Sequence, residues 1–127
     1  MPNAPKQMLT GTAAREDSTT STTFRNLVPT PGHVFSTTAT ATLTALFVAE
    51  CRMSVGTQRL EVRITVDGAV ADPGVAVLTN NSKYETRSHL AFKVGVPAGN
   101  HTVLVQWRVS GGTGFVRNRS FTVWEVR

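Results

Sequence analysis

The amino-acid sequence predicts an all-β protein, an antiparallel β-sandwich, and three features support this prediction. Threonine and valine are the commonest residue types, and both are β-branched residues that favour strands. From Phe24 onward, short runs that alternate apolar and polar residues are separated by turns rich in Gly, Pro and Asn. No stretch has the periodicity of an amphipathic helix.

The predicted strands lie in segments where every second side chain is apolar. The clearest segments are residues 40–55, 59–66, 75–79, 83–96, 101–109 and 115–127. In the first, the alternate residues from Leu43 to Val55 are expected to face the core. In the fourth, Leu90 and Phe92 share one face with Val96, and in the fifth Trp107 alternates with valines and is expected to be buried. The pattern predicts about eight strands, which is typical of sandwich and jelly-roll folds.

Length and composition bound the domain organisation. The chain has 127 residues, of which 40% are hydrophobic and 17% charged, and this is sufficient for one domain with one core. Residues 1–22 are polar, rich in Thr, Ser, Ala and Pro, and lack periodicity, so they are predicted to form an N-terminal arm that is extended, or disordered alone. Residues 23–127 are predicted to form the β-sandwich domain.

The charge of the chain raises the question of a polyanionic partner. The net charge is +5 and the isoelectric point is about 10.4. The arginines are scattered, and several have an acid nearby, as Arg59 and Arg63 have Glu61, which argues against nucleic-acid binding. No segment has the roughly 18 apolar residues of a membrane span, and the first residues lack the apolar stretch of a signal peptide. We expect no membrane partner and no classical export signal.

Residue patterns that support catalysis are missing from the sequence. His33, His89 and His101 have no zinc-ligand spacing, although a metal site assembled from distant strands stays open. The lone Cys51 excludes an intrachain disulfide and lies in an apolar strand, and there is no G-x-S-x-G motif. The glycine cluster at residues 111–114 precedes a predicted strand, not the helix of a phosphate-binding loop. We therefore expect no catalytic residues, no metal, no cofactor and no enzymatic activity.

Several predicted strands are apolar on both faces, whereas a sandwich strand facing water should have one polar face. The residues that oppose the predicted core side are Leu46, Val48, Leu104, Trp124 and Val126. Either the N-terminal arm or another subunit covers these residues, or a curved sheet buries both of its faces near its ends. We take these five residues as candidates for an interface.

The C-terminal segment also carries a family resemblance. VPAGNHTVLVQWRVSGGTGFVRNRSFTVWEV, from Val96 to Val126, has a P-A-G turn, a strand that alternates Val with an aromatic residue, a Gly-rich hairpin and a last strand R-S-F-T-V. It resembles the closing strands of jelly-roll modules of the tumour-necrosis-factor and C1q type, and of their counterparts in phage and bacterial surface proteins. The resemblance implies a homotrimeric jelly roll used for binding or capsid decoration, without enzymatic activity.

Together, these observations predict a structural virion protein, a capsid decoration (cement) protein located on the capsid surface. Its partners would be further copies of itself, in a homotrimer, and the major capsid protein or another virion protein. Arg108, Arg117 and Arg119 are the candidates for polar contacts between subunits. The alternative is a receptor- or carbohydrate-binding module with a glycan as partner. The stacking platform of such a module would be Trp124, Tyr84 or Phe115.

Overall fold

Eleven β-strands and no helix make up the part of the chain that the structure, a computed structural model, describes, namely residues 8–27 and 33–126. The strands are β1 (Met8–Ala13), β2 (Asp17–Thr19), β3 (Arg25–Asn26), β4 (His33–Thr37), β5 (Ala41–Met53), β6 (Leu60–Val66), β7 (Ala69–Val70), β8 (Ala76–Thr79), β9 (Glu85–Val96), β10 (Gly99–Val109) and β11 (Gly114–Val126). The long strands lie where the alternating segments predicted them. The number exceeds the predicted eight because the chain also forms several strands of two or three residues.

Two antiparallel sheets pack face to face. The first sheet has the strand order β1-β11-β5-β9, with β2 also paired to β11. The second has the order β3-β10-β6-β7, with β4 paired to β10 and β8 paired to β6. Most neighbouring strands come from distant parts of the chain, although β6 and β7 form a hairpin across Asp67 and Gly68. The predicted antiparallel, jelly-roll-like β-sandwich is confirmed.

The core lies between the two sheets and is made by alternate residues of the long strands. Along β5, every second side chain from Ala41 to Met53 is buried, and along β10 the buried set includes Trp107. This confirms the predicted inward side of both strands. Val55 is an exception, because β5 ends before it and its side chain is 48% exposed. Burying a large apolar side chain fully stabilises the fold by about 1.5–3 kcal/mol.

Strand β9 turns its apolar residues outward. His89 and Ala91 face the core, while Leu90 and Phe92 face solvent. A register shift against β5 follows at residues 93–96, where Gly95 has a φ of +66°, and it returns Val96 to the core. Leu90 and Val96 therefore lie on opposite faces, contrary to the single face that strict alternation predicted, because a bulge inserts an extra residue.

Two strands of the N-terminal segment, β1 and β2, pair with the first sheet. Strand β1 pairs with β11 from the Met8–Trp124 pair to the Ala13–Arg119 pair, and β2 pairs with the start of β11. The division of the chain at residue 22 stays a prediction, but β1 and β2, which lie within the predicted arm, belong to the first sheet. This polar segment joins the sheet through main-chain hydrogen bonds, which form whether or not the side chains are apolar. Residues 1–7 of the predicted arm lie outside the described residues.

Candidate functional site

The outer side of the first sheet is a surface without charged side chains over most of its length. Cross-strand pairing aligns its side chains in rows that run across β1, β11, β5 and β9. The rows are Met8-Trp124-Thr44-Phe92, Thr10-Thr122-Leu46-Leu90 and Thr12-Ser120-Val48-Ser88. We call this surface the uncharged face, meaning the outward side chains of residues 8–12, 42–48, 88–94 and 120–126. Within these described ranges, no outward side chain is an acid or a base.

Several apolar members of the uncharged face are open to solvent. Leu90 is 54% exposed, Phe92 42% and Val94 63%. Met8 and Val126, which belong to the same end of the sheet, are 65% and 43% exposed. These apolar side chains are clustered rather than scattered singly, which is a common property of interaction surfaces.

The uncharged face contains four of the residues predicted to form an interface: Leu46, Val48, Trp124 and Val126. Sequence reasoning did not include Leu90, Phe92 and Val94 in that set, because their alternation also fits an inward-facing strand. The signal that could have identified them is Gly95, since a glycine inside a strand often marks a bulge that changes the face of the residues beyond it.

Charged and aromatic side chains occupy the other end of the same outer surface. Arg117 donates a hydrogen bond from Nε to Glu50 Oε2 at 2.7 Å, and its guanidinium lies 3.6 Å from the centroid of the Tyr84 ring. Arg52 stacks on Phe115 at 4.1 Å from the ring centroid. The hydrogen bonds from Arg117 and Asn118 lower the pKa of Glu50.

These contacts bear on the predicted aromatic platform for sugars. Guanidinium groups cover a face of the Tyr84 and Phe115 rings, and the Tyr84 hydroxyl donates to Glu16. Trp124 lies instead on the uncharged face, in the row between Met8 and Thr44. The three aromatic residues therefore do not form one open stacking surface.

The second sheet has a different outer surface, which includes two further predicted candidates. Arg108 donates from Nε to Glu61 Oε1 at 3.1 Å. Arg63 and Arg108 both lie over the ring of Phe24, at 4.1 and 4.3 Å from its centroid. Leu104 is half-buried opposite Thr65. Leu104 and Arg108 thus face away from the uncharged face, and a single flat contact could not include all the predicted candidates.

Arg119 is inside the protomer. Its side chain is fully buried, its Nη2 donates to Asp17 Oδ2 at 2.5 Å, and its Nη1 donates to the carbonyl oxygen of Arg15 at 3.3 Å. A register shift between Arg117 and Ser120, with Asn118 at a φ of +47°, turns Arg119 inward. The guanidinium is committed within its own chain, so we do not include it in the proposed contact surface.

A cavity of about 290 Å³ opens where β2 of the first sheet meets β3 of the second. Its lining residues are Arg15, Asp17, Ser18, Thr19, Arg25, Asn26 and Trp107. Burial alone would raise the pKa of Asp17, but hydrogen bonds from Arg15 and Arg119 outweigh it and lower the pKa. We call this space the arginine cavity.

One histidine–carboxylate pair occurs in another cavity, of about 250 Å³, which is also lined by Lys93 and Pro97. His101 Nδ1 lies 2.6 Å from Asp67 Oδ2, and His101 Nε2 lies 2.7 Å from the carbonyl oxygen of Pro97. The hydrogen bond with Asp67 is the main cause of a raised His101 pKa. Both ring nitrogens are engaged by acceptors, which leaves neither of them free to accept a proton from a substrate.

Cys51 is buried, and desolvation raises the pKa of its thiol to about 12, which makes it a poor nucleophile at neutral pH. Across residues 8–27 and 33–126, no group of three or more His, Cys, Asp or Glu side chains is placed to hold a metal ion. The same part of the chain contains no helix long and apolar enough to cross a membrane.

No protein family model matches the chain, and no curated protein matches it. Solved structures do match it. The VP2 subviral particle of infectious bursal disease virus superimposes with a TM-score of 0.59 at 14% identity, over 94% of this chain and 32% of the VP2 chain. Dimeric latent PorU from Porphyromonas gingivalis gives a TM-score of 0.62 at 8% identity, over 94% of this chain and 12% of PorU.

The Eiger TNF structure from S. frugiperda gives a TM-score of 0.53 at 9% identity, and here the match covers 98% of this chain and 94% of Eiger. The chain thus spans about a third of VP2 but nearly all of Eiger. Since these identities are low, the likeness shows a shared jelly-roll-like fold and not a shared activity.

Proposed function

We propose that this protein is a non-enzymatic structural protein of a virion, a capsid decoration protein that acts as a homotrimer through the uncharged face. The observation that carries the proposal is the uncharged face itself. Strand spacings of about 4.8 Å and rises of about 3.4 Å per residue make it roughly 450 Å² in extent. Its exposed apolar side chains, Leu90, Phe92, Val94, Met8 and Val126, lie among Ser and Thr side chains, and apolar side chains clustered at a surface commonly mark interaction sites.

The charge distribution favours a second copy of the same chain as the occupant of this face. The chain carries a net charge of +5, so association of two copies through most of its surface would bring like charges together. The uncharged face avoids that repulsion. Soluble homo-oligomers usually have closed symmetry, and in a homotrimer each contact is heterologous, so one part of the uncharged face would contact a different part of that face on the next copy.

The proposed virion role draws on the fold and on the sequence, in which we found no residue pattern that supports catalysis. The jelly-roll-like sandwich is the fold shared with VP2 of a viral particle and with Eiger. A decoration protein stabilises a capsid by covering and bridging its subunits. Its contact with the capsid would use a surface other than the trimer interface. The outer surface of the second sheet, with Leu104 and Arg108, is available for that contact.

Light scattering on the purified protein tests self-association. We expect a mass of three times 13.7 kDa for the wild type and of one protomer for Leu90→Asp, which would bury a carboxylate in the contact. The control is Val34→Asp, which introduces the same charge at an exposed position of the second sheet, where Val34 is 64% and Leu90 54% exposed. A wild-type monomer, or equal effects of the two variants, would refute the trimer.

Co-sedimentation tests the decoration role. Capsids that lack this protein, assembled from the major capsid protein of the same virus, should bind the wild type saturably. Loss of binding in Arg108→Glu with the trimer intact would support the second sheet as the capsid contact. Failure of the wild type to sediment with capsids would contradict the decoration role and leave self-association standing.

A further inference from the structure

We propose that the arginine cavity binds an acidic sugar, a hydroxylated ring that carries a carboxylate or phosphate group. The cavity lies between the edges of the two sheets, away from the uncharged face, so the proposal does not rest on self-association. Its volume of about 290 Å³ is at the lower end of the range for small-molecule sites and fits one sugar unit rather than a longer chain.

The first argument is charge. Arg15 holds Asp17 through Nη2 to Oδ1 at 3.1 Å and through Nε to Oδ2 at 3.3 Å, and the buried Arg119 also contacts Oδ2. This one acid is therefore shared by two guanidinium groups, which leaves an excess positive charge beside the cavity. Low-dielectric walls strengthen the field that such a charge exerts on an anion.

Arg25 adds a second positive charge, which has no acid partner in the part of the chain that the structure describes. Its Nε makes a single long contact, 3.5 Å to Ser21 Oγ, and no carboxylate among the described residues lies within ion-pair distance of it. Arg25 sits opposite Trp107 in the β3–β10 pairing, so it borders the cavity from the second sheet. A guanidinium without an acid partner is suited to bind a carboxylate or phosphate through two parallel hydrogen bonds.

The second argument is the balance of donors and acceptors. Thr19 Oγ1 already accepts a hydrogen bond from the Ser21 main-chain nitrogen at 3.1 Å, and Asn26 Oδ1 accepts from Gln106 Nε2 at 3.0 Å. The Asp17 carboxylate accepts from the two arginines. These three acceptor groups thus already hold hydrogen bonds within the protein, while the Thr19 hydroxyl and the Asn26 amide can donate to a ligand. Such a lining selects a ligand rich in acceptor oxygens.

Another lining residue, Trp107, indicates what the uncharged part of the ligand is. Trp107 contributes an apolar indole at a cavity otherwise made of polar side chains. Sugar rings combine an apolar C–H face with hydroxyl groups that both donate and accept, which matches this combination better than a bare anion does.

Nuclear magnetic resonance of the full-length protein tests the proposal. The probes are N-acetylneuraminic acid, glucuronic acid and glucose 6-phosphate, with neutral glucose as the reference ligand. We expect the indole N–H signal of Trp107 to shift saturably with one or more of the acidic sugars. The signal of Trp124, which lies on the uncharged face, should stay in place and is the internal control. The carboxylated and phosphorylated probes distinguish the two sources of the anionic group.

Arg25→Gln tests the role of the charge. Since one charge-assisted bidentate contact is removed, we expect binding at least about tenfold weaker. Arg59→Gln is the matched control, an exposed arginine that does not line the cavity, and should bind as the wild type does. Equal binding of glucose, unchanged binding by Arg25→Gln, or no shift of Trp107 with any acidic sugar would overturn the proposal.

Discussion

At the scale of single residues, two histidines experience opposite environments within one small protein. His101 is surrounded by acceptors: the Asp67 carboxylate on one ring nitrogen and the Pro97 carbonyl on the other. A neutral imidazole can donate only one of these hydrogen bonds, whereas the imidazolium donates both. His89 is buried opposite Phe47, its Nε2 has no hydrogen-bond partner among the described residues, and desolvation lowers its pKa.

We predict that His101→Gln destabilises the protein mainly at acid pH. The pKa of His101 is raised above its usual 6.5 in the folded state, so its contribution is fully present below about 6.5. The contribution is lost as the pH rises through the folded-state pKa. Urea unfolding between pH 5.5 and 8.5 should therefore show a gap between variant and wild type that closes toward alkaline pH.

His89→Leu is a control variant, because its effect on stability should depend on pH in the opposite direction. The folded-state pKa of His89 is lowered, so the unfolded chain binds a proton first as the pH falls below 6.5 and the folded state loses stability. Removing the imidazole should make the protein less sensitive to acid. A His101→Gln gap that stays constant with pH would refute the proposed charged state of His101.

At the scale of elements, β11 organises the first sheet, since it pairs with β1, β2 and β5. The irregularity between Arg117 and Ser120 leaves Arg117 facing outward to Glu50 and turns Arg119 inward to Asp17. Arg119 thereby ties the segment that includes β2 to the centre of the sheet. This tie, together with the main-chain pairing, holds the polar N-terminal strands on a sandwich whose core they scarcely enter.

Arg119→Ala is predicted to lower the free energy of unfolding by about 3 kcal/mol, because it leaves Asp17 without its buried partner and opens a cavity. Arg15→Ala is the matched control. It removes the other arginine from the same acid, but that side chain is 69% exposed, so the loss should stay below about 1 kcal/mol. Equilibrium unfolding in urea measures both.

Hydrogen exchange locates the effect. If Arg119 ties β2 to the sheet, the amides of Asp17–Thr19 should lose protection in Arg119→Ala before those of β5 do. Equal losses for Arg119→Ala and Arg15→Ala, or uniform loss of protection across both sheets, would contradict this role.

At the scale of the whole molecule, charged groups are segregated from one large surface. Ion pairs join Glu50 to Arg117 and Glu61 to Arg108 on the outer sides of the two sheets, and Asp17 to arginines at an edge. None of these three ion-pair groups lies on the uncharged face. Contacts through such a face are driven by removal of apolar surface from water, which salt does not screen.

Trp124→Ala is predicted to weaken assembly more than it weakens the fold of the protomer. Trp124 is half-buried on the uncharged face, and aromatic residues near the centre of a contact commonly contribute 2 kcal/mol or more. We expect the association constant to fall at least about tenfold, both at low salt and at about 1 M salt. Light scattering over a dilution series measures this, and an unchanged oligomer would count against the assembly proposal.

Much of the fold could be predicted from the sequence because strand alternation is a local property. Period-2 patterns located the long strands β5, β6, β9, β10 and β11, and they assigned the inward side of residues such as Phe47 and Trp107. The same patterns predicted that Leu46, Val48 and Trp124 lie on the opposite side of their strands. Each of these conclusions depends only on neighbours along the chain.

The sequence by itself thus determined an all-β sandwich, the positions of its long strands and the two-sided character of several of them. Only the tertiary structure decided which outer residues share one surface. It joined Leu46 and Trp124 to Leu90 and Phe92, placed Leu104 and Arg108 on the other sheet, and buried Arg119. The physical reason is that strand pairing, bulges and the capture of a polar strand depend on main-chain hydrogen bonds between distant segments, which side-chain periodicity does not record.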